Sequence, residues 1–226
     1  MNRKTLSAAF PVTVPVLMGY LAIGMAFGFM LQAIGYNYIW AFFMSLTIYA
    51  GSGQYLGVQL LNTHAALGTV ALMTLLINFR HLVYGLSMLE KYRGTGPVRP
   101  VLICTLTDET FSLVSTLEPP EGVARRDFYF WISLLDYLYW QVGCTLGNAV
   151  GGLLTFDTTG LDFTLTALFI VLLLEQVKKK ENRAAGIIGM VCTAASLAVF
   201  GPDNFLIPAM ILLLTVLLGG RKRLCK

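Results

Sequence analysis

Charge is what this chain has least of. Only 12% of its 226 residues are charged, where a soluble domain carries about 25%. That leaves too little polar surface to cover a water-soluble globule. Cysteine is also sparse, at four residues. Cys104, Cys144 and Cys192 fall inside apolar segments and Cys225 in a basic tail, and no pair has metal-ligand spacing. They read as small buried hydrophobes, and neither a metal nor another cofactor is expected. A cleavable signal peptide is not expected either, because the first apolar stretch is too long and no small-residue cleavage site follows it. The net charge of +4 is no nucleic-acid signal. It comes from short clusters between apolar blocks: Arg3/Lys4, Lys91/Arg93/Arg99, Arg125/Arg126, Lys178 to Lys180 with Arg183, and Arg221 to Arg223. That is the pattern of cytoplasmic loops under the positive-inside rule.

What the chain has in excess is hydrophobic residues, at 56%, with a mean hydropathy of +0.70. They fall in seven or eight blocks, roughly 11–35, 39–61, 65–89, 99–117, 128–150, 160–176, 184–199 and 204–218. A helix crossing the bilayer needs about 20 residues, which the first five approach and the last three do not. Short connections leave no room for a soluble domain. The expected fold is an all-α polytopic membrane protein of about six to eight membrane segments, with residues 1–226 forming one integral domain.

Simple alternation of these blocks puts the loop with Lys91, Arg93 and Arg99 on the non-cytoplasmic side, against the charge rule. If 39–61 and 99–117 each enter and leave on one side, every basic cluster and both termini face the cytoplasm. The turns at 151–160 (with Asp157) and Gly201-Pro202-Asp203 then face outward. The same two segments carry the strongest polar interruptions, Tyr49-Ala50-Gly51-Ser52-Gly53-Gln54 and Thr105 to Ser112. Both are expected to be broken or re-entrant helices. Polar or non-helical backbone at membrane depth survives only inside protein or beside a watery cavity, and paired broken helices mark transporter substrate sites.

The candidate binding residues follow from these interruptions. Gly51, Ser52, Gly53 and Gln54 can open a helix end whose freed N–H groups hold a carboxylate. Packing through small residues is the alternative. Asn78-Phe79-Arg80-His81, with Tyr84, lies in the second half of an apolar block. A mid-membrane arginine needs a carboxylate partner unless the span ends early and Arg80 and His81 snorkel. Asn78, His81 and Tyr84 share a helix face. His81 titrates near neutrality and is the candidate proton relay. Asp108 and Glu109 point about 100° apart on a helix and so serve different partners, one pairing with Arg80 and the other titrating or binding an ammonium. On a continuous helix both also share a face with Thr105. Asp136, with Trp140 one turn on, is a mid-span carboxylate, for proton coupling or as counter-charge to Arg80. The stripes Gly24/Gly28 and Gly143/Gly147/Gly151 read as close helix contacts. Pro11 and Pro15 fix the first turns of the first span, and Glu175-Gln176 reads as an interfacial end.

Y-A-G-S-G-Q at 49–54, N-F-R-H-L-V-Y-G-L-S at 78–87, L-T-D-E-T-F at 106–111 and D-F-T-L-T-A-L-F at 162–169 together resemble the AzlC family along essentially the whole chain. The resemblance implies the large subunit of a two-component exporter of branched-chain amino acids in the bacterial inner membrane. It also implies a small AzlD-like partner of about four spans, and leaves room for a higher oligomer. Valine, leucine, isoleucine or methionine is the expected substrate class, moved outward as a zwitterion, with proton antiport as the coupling. No catalytic residue is expected. Two other readings stay open: an intramembrane serine protease built on Ser52 and His81, and a passive small-solute channel.

Overall fold

The longest apolar run forms α1 (Arg3–Ala33), which continues through Pro11 and Pro15. The chain then turns at Gly35, whose φ of 89° suits a residue without Cβ, into α2 (Tyr38–Thr47), capped by the Asn37 side chain. Next come α3 (Gly51–Asn62), α4 (Leu67–Met88), a single 3₁₀ turn at Gly96–Val98, α5 (Arg99–Cys104), α6 (Asp108–Thr116), α7 (Arg125–Leu153) and α8 (Arg183–Asn204). The computed structural model describes residues 3–153 and 183–205, together with 170, 173, 174, 177, 178, 208, 209, 211–213, 215, 216, 219 and 220. Among these residues there is no strand, and their regular structure is all helical, as expected. The motif at 162–169, most of segment 160–176, part of segment 204–218, and Asp157, Glu175, Gln176, Lys179, Lys180, Arg221 to Arg223 and Cys225 lie outside the described residues.

Three described helices are long and apolar enough to cross a membrane: Lys4–Ala33, Leu67–Met88 and Arg183–Gly201. Segments 39–61 and 99–117 are each divided in two. Between α2 and α3 the backbone leaves the helix at Ile48 and is extended at Ala50. Between α5 and α6 it leaves at Thr105 and is extended at Thr107. Thr105 therefore lies outside α6 and does not share a helical face with Asp108 and Glu109.

The contacts divide the chain into two compact units, Met1–Thr164 and Leu165–Lys226. In the first, α1 and α7 form the central pair. A Cβ on Gly143 would lie 2.7 Å from the Tyr20 carbonyl oxygen and one on Gly24 3.0 Å from the Cys144 nitrogen, while Gly28 lies against Gly147 and Asn148. The glycine stripes thus let the two backbones touch. Their register rises together, so α1 and α7 run parallel. Asn148 locks the pair, donating to the carbonyls of Gly28 at 3.1 Å and Tyr36 at 2.9 Å.

α4 runs the other way. Beside its C-terminal end, Met88 and Tyr92 join Ala9, Leu102, Val114, Phe128, Tyr129 and Ile132 in one buried cluster at the start of α1 and α7. The α2–α3 hairpin hangs from the opposite end. α2 descends along α7, with Gln141 donating to the Phe42 carbonyl at 2.9 Å and Tyr137 to the Leu46 carbonyl at 2.8 Å. α3 climbs back along α1, where Tyr55 donates to the Ile23 carbonyl at 2.6 Å. The α5–α6 hairpin rises from the first end and returns to it. There Lys91 donates to the carbonyls of Ser115 and Leu117 at 3.0 and 3.1 Å. Both hairpins reach mid-height and turn back, from opposite ends of the unit.

Between Lys4 and Arg80 the chain carries no Asp, Glu, Lys or Arg. The basic residues 91, 93, 99, 125 and 126 all sit at the end where α1 and α7 begin. The second unit contains α8, which bends at Gly201 with φ 73°, at the expected turn.

Candidate functional site

The two hairpin tips meet in the middle of the first unit. Both return helices, α3 and α6, begin there, so two helix N-termini with free N–H groups open onto one place. α6 is capped by Thr107, whose hydroxyl accepts from the Thr110 N–H at 3.3 Å. α3 starts at Gly51 behind Ala50, with no side-chain cap. The glycines have local reasons. A Cβ on Gly51 would lie 3.2 Å from the Trp140 ring, and one on Gly53 3.3 Å from the Asn78 side chain.

Arg80, on α4, bridges the tips. Its guanidinium donates to Ser52 Oγ on α3 and pairs with the Asp108 carboxylate at the start of α6. The partner of Arg80 is therefore Asp108 and not Asp136. Their side chains are 27% and 20% exposed, so the pair sits inside the unit without being sealed.

Glu109 turns away from Arg80, as adjacent helical positions require. Tyr20, on α1, donates to Glu109 Oε2 at 2.8 Å and lies 2.6 Å from Thr107 Oγ1. Thr107 contacts Thr110 at 3.1 Å, and Thr110 donates to Asp136 Oδ2 at 2.8 Å. Asp136 is fully buried, and among the described residues this hydroxyl is its one hydrogen-bond partner. Trp140, one turn along α7, donates its indole N–H to Gln54 Oε1, closing the ring back to α3. One centre thus joins α1, α3, α4, α6 and α7.

The structure brings together Ser52, Gln54, Asn78, Arg80, Asp108, Glu109 and Asp136, with Gly51 and Gly53 at the tip. It leaves His81 at the edge, where Nδ1 lies 3.3 Å from the Asn78 carbonyl oxygen and the ring meets Tyr84 edge-on at 6.0 Å. Ser52 and His81 do not hydrogen-bond each other, so the serine–histidine dyad is not assembled. Tyr20 was not legible as a site residue. Its one sequence signal is a hydroxyl inside a charge-free apolar run.

Several buried polar atoms here have no protein partner: Tyr49 OH, Gln54 Nε2, Asn78 Oδ1, Arg80 Nε, Asp108 Oδ1, Ser133 Oγ and Asp136 Oδ1. Buried polar atoms are normally satisfied. The cluster therefore leaves both donors and acceptors open. No group of three or more metal-ligating side chains exists among the described residues.

Residues 15–154 match the family described as AzlC protein. A relative from Bacillus subtilis, the branched-chain amino acid transport protein AzlC, is 40% identical over all of this chain and 91% of its own length. An uncharacterized membrane protein of Helicobacter pylori is 44% identical over 98% of this chain and 97% of its own length. Inner membrane protein YgaZ of Escherichia coli is 27% identical over 88% of this chain and 82% of its own. No solved structure matches.

Proposed function

Because the chain belongs to the AzlC family, we propose that it is the large subunit of a secondary exporter of branched-chain and other hydrophobic amino acids in the bacterial inner membrane. The observation that carries this reading is the polar centre between two helix breaks, buried in an otherwise apolar bundle. A zwitterion suits its open atoms. The carboxylate meets Arg80, Gln54 Nε2 and the uncapped start of α3, and the ammonium meets the free oxygens of Asp108 and Asn78.

The hairpins are read as re-entrant elements, each leaving the membrane on the side it entered. Their return to opposite ends of the unit and the clustering of basic residues at one end support that topology, with the basic end and both termini in the cytoplasm. The full count of six to eight membrane segments rests on the sequence blocks. Coupling to protons runs through Asp136 and Glu109. They are a fully buried and a half-buried carboxyl joined by hydroxyls, a usual form of intramembrane relay. A small AzlD-like membrane subunit completes the exporter, as the family implies.

The test uses vesicles holding the full chain with its small partner, assayed for valine flux under an imposed pH gradient. Saturable, gradient-driven flux in wild type is expected, with Asp108→Asn and Asp136→Asn each reducing it at least tenfold. Flux that neither saturates nor responds to the gradient would establish a passive channel instead.

A further inference from the structure

Above the polar centre, toward the charge-free end of the first unit, lies a cavity of about 710 Å³ between α2, α3 and α4. Ligand cavities typically enclose about 300–1,000 Å³, so this one falls in their range. Trp40, Phe43, Met44, Leu60 and Val70 are among its walls, and no Asp, Glu, Lys or Arg lines it. Its polar side chains above the floor are few, namely Tyr36, Thr47, His64 and Thr74. Thr47 spends its proton on the Phe43 carbonyl at 2.7 Å, within its own helix.

The floor is different. It is formed by Gly53 and Asn78, which belong to the polar centre itself. Ser52 is the neighbour of Gly53, and Arg80 lies two residues beyond Asn78. The Asn78 amide nitrogen donates to the Thr74 carbonyl at 3.0 Å, whereas Oδ1 is buried without a partner. An apolar chamber therefore opens over an acceptor, with a cation, a carboxylate and an uncapped helix start just beneath.

From this juxtaposition we propose that the chamber is the side-chain compartment of the substrate site and takes an aliphatic chain without polar atoms. The zwitterionic head group sits at Asn78 and the Arg80–Asp108 pair. The assignment rests on the transport reading above and sharpens it. Charge complementarity between floor and head group selects this occupant over a lipid tail, which has no ammonium to give Asn78 and Asp108. Because the chamber is larger than one side chain needs, selection follows apolar area rather than exact shape. Polar side chains are disfavoured because most of the wall would strip their water without offering a partner.

The experiment is competition for valine flux in vesicles holding the full chain and its partner, using alanine, 2-aminobutyrate, norvaline and norleucine. Each added methylene should tighten competition about fourfold, and serine and asparagine should compete no better than alanine. Val70→Trp and Thr74→Phe, which fill the chamber, should cut the leucine-to-alanine preference at least tenfold. The milder Val70→Ala, which enlarges it, should move the preference toward longer chains. A flat series in wild type, or an unchanged preference in all three variants, would overturn the assignment while leaving transport intact. Quenching of Trp40 by lipids brominated on their acyl chains, not relieved by norleucine, would also overturn it in favour of a lipid tail. Absence of flux for every amino acid in wild type would remove the transport reading itself.

Discussion

Arg80 holds two helices that come from opposite ends of the unit, and that makes it more than a neutralised charge. Its donation to Ser52 fixes the start of α3, and its pairing with Asp108 fixes the start of α6. A partner for Arg80 could be inferred from the sequence, because an arginine inside an apolar block cannot stand alone. Which partner could not be. Asp108, Glu109 and Asp136 were equal candidates until the helix break at Thr105–Thr107 rotated Asp108 toward α4 and Glu109 toward Tyr20. Arg80→Gln should cost about 1–3 kcal/mol, since it leaves a half-buried carboxylate unpaired. Combining it with Asp108→Asn should recover part of that stability but none of the flux, because the double variant restores neutrality and not the zwitterion's two contacts. Thermal unfolding in detergent, read beside valine flux, checks both halves. Recovery of flux in the double variant would reduce the pair to scaffolding.

The central helix pair owes its place to small residues. The stripe Gly24/Gly28 against Gly143/Gly147 was legible from spacing alone, and it became the central α1–α7 contact. Gly28→Ala should destabilise by at least about 1–3 kcal/mol, because its Cβ would meet the rigid backbone of Gly147 and Asn148. Gly19→Ala, on the same helix with nothing within 4 Å, should be neutral or gain up to about 1 kcal/mol from helix propensity. Equal melting temperatures for the two variants would contradict the close crossing. The α5–α6 hairpin is tied down differently. Beyond its last turn, Glu118 accepts from Lys91 at 3.1 Å and approaches Arg125 at 3.4 Å and Tyr129 OH at 3.3 Å. The hydrogen bond from Lys91 holds the Glu118 carboxyl below the usual glutamate range. A carboxyl lowered in the folded state stabilises above its ordinary value and loses that contribution as pH falls through the lowered one. Spin labels at positions 93 and 119 should therefore give a narrow distance distribution at neutral pH that broadens under acid. Glu118→Gln should be broad at both.

At the scale of the whole first unit, the breaks and the charge pattern agree. The sequence marked both interruptions and, through the positive-inside rule, required that neither segment cross fully. It could not show that the two tips meet, because their meeting depends on α1 and α7 running parallel and α4 running the other way, against α3 and α6. The order of helices then has an inverted logic. α1 precedes a hairpin dipping from one end, and α4 precedes a hairpin dipping from the other. This fixes an accessibility pattern that a conventional run of crossings does not share. Thr63, after α3, and Gly35, after α1, belong to the charge-free end. Gly94, after α4, and Gly122, after α6, belong to the basic end. Single cysteines at 35 and 63 in intact cells should react with a membrane-impermeant maleimide. Cysteines at 94 and 122 should react only in inside-out vesicles. Full crossing by 39–61 would put 35 and 63 on opposite faces, and full crossing by 99–117 would do the same to 94 and 122. Four labels therefore separate paired re-entrant hairpins from either alternative.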